Sequence, residues 1–171
     1  MLKAVIFDMD GVLIDSELIH YEMAKRVMEQ YGAALHKEDM LKFLGISNDV
    51  MWAYLVKKYN ITENISVIIE KQDDITIKYI KESNMKPIPG IKELLLELHE
   101  KQILMAIASS SSKNLICTIV NKLGISDYFT AFVSAEDVVK GKPHPDIFID
   151  AARLLNVSPD QCLAIEDTGY G

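Results

Sequence analysis

The sequence predicts an α/β fold: a parallel sheet interrupted early by an all-helical block. Three observations carry that prediction. Short apolar runs of strand character alternate with stretches whose apolar residues recur at helical spacing. The long segment after the first run contains helical patterns and no alternating β-branched run. Lys86-Pro87-Ile88-Pro89-Gly90 then closes that segment with residues that cannot continue a helix. The expected organisation is an α/β core from residues 1–15 and 87–171, with residues 16–86 as a helical insertion of a size a small domain can have.

Taken in order, Ala4 to Phe7 are four consecutive apolar residues, enough for a buried parallel strand, and Asp8 and Asp10 follow where that strand must end. Gly11 then permits a sharp turn. After Asp15, Ile19, Met23, Val27 and Tyr31 recur at helical spacing, and Gly32 stops the helix. Further helices are expected around 41–44, across 50–59 and across 66–82, after which the Pro87 to Gly90 segment reads as a hinge strand returning to the core. Ile91, Leu94, Leu95 and Leu98 form an apolar stripe, followed by a strand over 103–108 and by four serines, Ser109 to Ser112. Ser112 is placed to cap a helix carrying Leu115, Ile116, Ile119, Val120 and Leu123, which Gly124 ends. A strand at Ala131–Ser134, a loop holding Lys140 and Lys142, a helix opening at Pro145 and a strand at Cys162–Ile165 complete the pattern. That last strand ends on Glu166 and Asp167.

Composition narrows the function. A chain of 171 residues with 49% hydrophobic and 25% charged residues is globular, and its formal charge of −7 argues against a nucleic-acid surface, which needs clustered Lys and Arg. No apolar run reaches membrane-spanning length, and Asp8 and Asp10 break the N-terminal run that a secretory signal would need. Cys117 and Cys162 form no C-x-x-C pair, so they read as buried free thiols of a cytoplasmic protein. The lone Trp52 reads as an anchor of the helical block.

In a parallel sheet, the strand ends share one edge. Asp8, Asp10, Ser109, the Lys142 loop, Glu166 and Asp167 can therefore converge there. Several carboxylates in one cleft raise one another's pKa unless a cation neutralises them. Mg²⁺ is the natural candidate, being a hard ion that takes carboxylate oxygens, waters and substrate phosphate. An Asp at a strand end is also a common turn or cap residue. Asp127, Asp137, Asp146 and Asp150 are read that way, and Lys140 as a solvated lysine.

Asp8-Met9-Asp10-Gly11-Val12, Ser109 after its strand, Lys142 in Gly-Lys-Pro-His-Pro-Asp-Ile-Phe, and Glu166-Asp167-Thr168 match in order the motifs of the haloacid dehalogenase-like superfamily. The resemblance spans Lys3 to Gly171 and lies in the phosphatase and β-phosphoglucomutase-like branch, with a Rossmann-like core and an all-helical cap. It implies Asp8 as nucleophile and Asp10 as acid and base. It implies Mg²⁺ held by Asp8, the Asp10 main-chain carbonyl and Asp167, with Glu166 close by. Ser109 would bond a phosphoryl oxygen, and Lys142 would offset charge on Asp8 and the transferring group. The implied activity is hydrolysis of a small phosphorylated metabolite, a sugar or nucleotide phosphate. A metal-free dehalogenase would not need Asp10.

Two departures bear on the details. Substrate choice belongs to the cap, where His20 and Lys71 match positions expected in β-phosphoglucomutases. The cap motif Gly-x-Ser-Arg, however, reads Gly45-Ile46-Ser47-Asn48, so Asn48 supplies no charge for a distal phosphate. A sugar phosphate mutase remains the alternative, through another basic group. The other departure follows Glu166. Family members continue beyond this point into a helix and a further strand, so the resemblance implies a shortened chain with an exposed C-terminal edge open to self-association. On that ground a catalytically impaired binding or regulatory module is the alternative of another class.

Overall fold

The computed structural model describes residues 1–43 and 46–169. Among the described residues, four parallel strands, β1 (Ala4–Phe7), β2 (Leu104–Ser109), β3 (Ala131–Ser134) and β4 (Cys162–Ile165), form one sheet in the order β3-β2-β1-β4. The fold is the α/β, Rossmann-like one that the pattern predicts. β1 lies in the interior, in register with β2 on one side (Phe7 opposite Ile107) and β4 on the other (Phe7 opposite Ile165). Its four apolar residues follow from that position, because both faces are covered. Val5 and Phe7 enter one apolar cluster and Ala4 and Ile6 the other.

The helices of the core are α5 (Ile91–Glu100), α6 (Lys113–Leu123) and α7 (Asp146–Leu154). Ile91 and Leu95 of α5, with Leu115, Ile116, Ile119, Val120 and Leu123 of α6, cover one face. Ile147, Ala151 and Ala152 of α7 cover the other, where Ala106, Ala108 and Ala131 let the helix approach closely. Ser112 caps α6 by accepting from the Leu115 N–H, and Gly124 ends it at φ 65°.

Residues 16–86 hold α1 (Glu17–Gln30), the short α2 (Lys37–Met40), α3 (Asn48–Lys58) and α4 (Ile65–Glu82). They pack round their own cluster, in which Trp52 is fully buried among Ala24, Val27, Met28, Leu55 and Ile68. The packing does not divide at residue 86, however. Ile77 and Ile80, on the last turns of α4, belong to the cluster of the sheet.

Several boundaries differ from the sequence reading. β2 begins and ends one residue later than expected and so includes Ser109. The piece expected at 41–44 is a 3₁₀ turn, Leu41–Phe43, that continues from α2. The return segment is not a strand; it is held by one bond from the Ile88 N–H to the Leu13 carbonyl, 2.9 Å, because two prolines leave too few donors for a ladder. Cys117 and Cys162 are half-buried free thiols rather than buried ones. Cys162 lies on β4, an edge strand paired only with β1 among the described residues, where Leu163 is 50% exposed. No helix among the described residues is long and apolar enough to cross a membrane.

Candidate active site

The ends of β1, β2 and β4, with the Lys142 loop, open into one cleft of about 570 Å³ between the sheet edge and the helical block. At its floor, Asp8 follows β1 and its N–H donates to the Ile165 carbonyl, 2.9 Å, so the sheet itself positions the carboxylate. Asp8 Oδ1 meets Lys142 Nζ at 2.9 Å, and the same ammonium meets Glu166 Oε1 at 3.1 Å. These side chains are 7%, 1% and 9% exposed, so the pairs lie in a low dielectric. Lys142 also lies 4.9 Å over the Phe148 ring of α7. Burial, only partly offset by Lys142 and reinforced by Asp10, pushes Asp8 up to about 7.

Asp10 stands beside it with a different set of partners. Burial alone would raise its pKa, but His20 and donated hydrogen bonds hold it down at about 2. Oδ1 accepts from Ser16 Oγ at 2.5 Å and lies 2.8 Å from His20 Nε2; Oδ2 accepts from Ser111 Oγ at 3.1 Å and, more weakly, from Ser109 Oγ at 3.4 Å. Burial would lower His20, yet Asp10 prevails and raises it, with Asp73 and Asp8 adding to the effect. Two neighbouring aspartates are therefore set apart in pKa by their surroundings.

Across from Asp8, the carboxylates of Asp8, Glu166 and Asp167 place one oxygen each within 4.8 Å of one another. Glu166 is the most committed: Oε1 holds Lys142, while Oε2 accepts from the N–H and the hydroxyl of Thr168. Burial and Glu166 raise the Asp167 pKa, against a smaller lowering by Lys142. Gly11 makes room for it. A Cβ at that position would fall 2.1 Å from Asp167 Oδ2, and φ there is 78°. The donor set, three clustered carboxylates with one lysine, fits a hard divalent cation such as Mg²⁺.

Ser109 is fully buried behind the cleft, accepting from the Ser111 N–H at 3.1 Å, whereas Ser110 and Ser111 line the cleft. Ser110 Oγ is a buried hydroxyl with no hydrogen-bond partner among the described residues. The run of four serines was the signal for this pair, but spacing alone singled out the first. On the cap side, His20 and Asn48 line the cleft as expected. Lys71 does not: its ammonium bonds Tyr31 Oη at 2.7 Å and lies 3.7 Å from Glu63. The next residue, Gln72, lines it instead, with Lys37, Met40, Leu41, Phe43, Ile46 and Met51. Of the cap motif, Gly45 lies outside the described residues, as do Tyr170 and Gly171 of the last motif. Ser47 is buried at the start of α3, where a Cβ on Gly141 would sit 3.6 Å from its own Cβ, so the lysine loop and the cap meet there.

With this geometry in place, comparison with known proteins is decisive. Residues 5–171 match the family of haloacid dehalogenase-like hydrolases. The chain belongs to that family. Among its relatives are a β-phosphoglucomutase of Bacillus subtilis, 35% identical over 99% of this chain and 77% of the relative, and hexitol phosphatase B of Escherichia coli, 32% identical over 99% and 77%. A crystal structure of β-phosphoglucomutase from Clostridium difficile superposes with a TM-score of 0.87 at 33% identity, covering 100% of this chain and 78% of that one. The chain is thus a haloacid dehalogenase-like enzyme of the phosphatase and phosphomutase branch. The motif residues Asp8, Asp10, Lys142 and Asp167 line the cleft, with Ser109 buried behind it.

Proposed function

We propose that this haloacid dehalogenase-like protein is a cytoplasmic, Mg²⁺-dependent phosphatase that hydrolyses a small phosphorylated metabolite, of the sugar or nucleotide phosphate class, through an aspartyl-phosphate on Asp8, with residues 16–86 acting as its cap. The observation that carries this reading is the buried Asp8–Lys142 pair, set beside a second aspartate with separate partners. Asp8 and Asp167 would hold the cation, with Glu166 anchoring Lys142 beside them. The turn after β1 uses the carbonyls of Met9 and Ile14, leaving that of Asp10 without a backbone donor among the described residues and able to join the set. Bound there, Mg²⁺ supplies positive charge that keeps Asp8 ionised and offsets charge on the phosphoryl oxygens.

A carboxylate oxygen of Asp8 attacks phosphorus in line, forming the P–O bond to Asp8 as the bond to the leaving oxygen breaks. Lys142 stabilises the charge that develops, and Ser109, expected to donate to a phosphoryl oxygen, is joined in that role by Ser110, whose hydroxyl has no partner among the described residues. In the resting site, the low Asp10 pKa and the raised His20 pKa put the shared proton on His20. The Asp10–His20 pair then delivers that proton to the leaving oxygen and takes one back from the water that hydrolyses the phospho-Asp8 bond.

The mutase alternative is favoured by the identity with β-phosphoglucomutases and by the His20–Asp10 contact. Asn48 weighs against it, since Lys37 is the one lysine or arginine of residues 16–86 among the described lining residues and lies 3.8 Å from Glu17. The test is hydrolysis of para-nitrophenyl phosphate with and without Mg²⁺, with Asp8→Asn and chelator controls and sugar phosphate isomerisation followed separately. Activity that survives Asp8→Asn overturns the mechanism; isomerisation without net phosphate release selects the mutase. No turnover of any phosphate leaves the binding module. The half-exposed β4 edge with Leu163 supports self-association, to be read by sedimentation of the parent chain against Leu163→Glu.

A further inference from the structure

The cap presents one polar group whose orientation is dictated from behind. Gln72 of α4 is 1% exposed, lines the cleft and is fixed at both ends. The indole N–H of Trp52 donates to Gln72 Oε1 at 2.6 Å, and Thr76 Oγ1 donates to the Gln72 carbonyl at 2.7 Å. An indole nitrogen can only donate, so the Trp52 bond settles which end of the amide is oxygen. The amide nitrogen, with two protons, is the end left over, and it makes no hydrogen bond among the described residues. Nor is it sealed in protein. Ser110 Oγ is the one fully buried side-chain polar atom without a partner among the described residues, so the Gln72 nitrogen is reached from the cleft it lines.

The cleft wall is largely apolar, with Met40, Phe43, Ile46 and Met51 among the cap residues that line it. A donor aimed into such a wall is costly until an acceptor arrives, which makes it a discriminating group. Being neutral, it matches a neutral oxygen, whereas a second phosphate would call for a cation where Asn48 and Gln72 stand. The C–H faces of a polyhydroxylated carbon chain suit the methionine and phenylalanine surface around it.

We propose that Gln72 is a specificity-determining residue that donates from Nε2 to a hydroxyl oxygen of an uncharged, polyhydroxylated leaving group, and that Trp52 is the positioning residue that aims it. This rests on the phosphatase reading only for the place of the phosphoryl end of the ligand.

The experiment uses the full chain carrying Asp8→Asn, so that no ligand is consumed, and calorimetric titration with Mg²⁺ present. The probes are a hexitol monophosphate and inorganic phosphate. The hexitol phosphate binds more tightly than phosphate. Gln72→Met removes the donor and weakens hexitol phosphate binding by about tenfold while leaving phosphate binding unchanged, the loss expected for one hydrogen bond to a neutral group. Trp52→Phe releases the amide and gives a smaller loss with the same selectivity. Unchanged phosphate affinity is also the control for folding. Equal affinities for the two probes in the Asp8→Asn chain, or equal losses for both probes in Gln72→Met, overturn the proposal. Turnover by the chain with Asp8 intact separates the two readings. Gln72-dependent binding without hydrolysis refutes the phosphatase alone; hexitol phosphate hydrolysis with kcat/KM unchanged by Gln72→Met refutes the role of Gln72 alone.

Discussion

On the floor of the cleft, Asp8, Lys142 and Glu166 form a buried run of alternating charges. Asp10 nearby has partners on both its oxygens. On the roof, residues 37–72 of the cap offer Met40, Leu41, Phe43, Ile46 and Met51, two neutral amides and a single lysine, while Glu17, His20 and Tyr21 line the cleft from α1. In the proposed mechanism the floor stabilises charge that moves, and would do so for any phosphate ester. The roof meets only what the phosphate is attached to. Breaking the floor should therefore reduce turnover of every substrate alike, while altering the roof should change which substrate is preferred.

The largest effect is expected from Asp8→Asn, which removes the attacking oxygen and should lower kcat for all phosphates by at least about 10⁴-fold, as for other lost nucleophiles. Lys142→Ala comes next. It should cost about 10²–10³-fold in kcat, the range seen when a charge-stabilising donor is removed, irrespective of leaving group. It should also lower the thermal midpoint, because two buried carboxylates lose their counter-ion. A loss confined to one substrate would place Lys142 with the roof and break the contrast.

The pH dependence of stability sharpens it further. Asp8 is raised from 3.8 to about 7 in the folded chain, so the stability it contributes is present below about pH 4 and lost as pH rises through about 7. Asp10, lowered to about 2, works in the opposite direction: its contribution is present above its ordinary value and lost as pH falls toward 2. Melting of the metal-free chain between pH 5 and 8 should thus show a decline, read against buffer controls, that Asp8→Asn flattens. Added Mg²⁺ should raise the midpoint more at the upper end of that range than at the lower, since bound cation favours the ionised carboxylates. The smallest effect belongs to the roof. Asp39 accepts from Lys58 at 2.5 Å and from Tyr59 Oη at 2.9 Å, joining α2 to the end of α3 beneath Met40. Asp39→Asn should raise KM a few-fold, about what one weakened partly buried pair supports, with kcat unchanged.

The floor was legible in the sequence and the roof largely was not, for a physical reason. Asp8 follows a strand of four buried apolar residues directly, and Glu166 and Asp167 follow another short apolar strand, so each run announces where it stops. Lys142 lies eight residues beyond β3 and is legible only through the motif it resembles. A helix gives no such mark. Lys71 and Gln72 are consecutive on α4, yet one residue rotates the side chain by about 100° and sends the lysine to Tyr31 and the glutamine into the cleft. The resemblance drew attention to Lys71, while the informative fact about Gln72 is the Trp52 nitrogen behind it, a contact 20 residues away. The serine run was legible only to within a residue, since β2 extends one residue further than its apolar pattern and carries Ser109 inside.

Gly11 turns the chain after β1 and leaves the space that the Asp167 carboxylate fills. Its missing side chain is therefore a dimension of the proposed metal site, as definite as a bond length. Gly11→Ala would not merely strain a turn. It would move a carboxylate contributed from more than 150 positions away in the chain, so that a change in one local backbone angle is read out as a change in cation affinity.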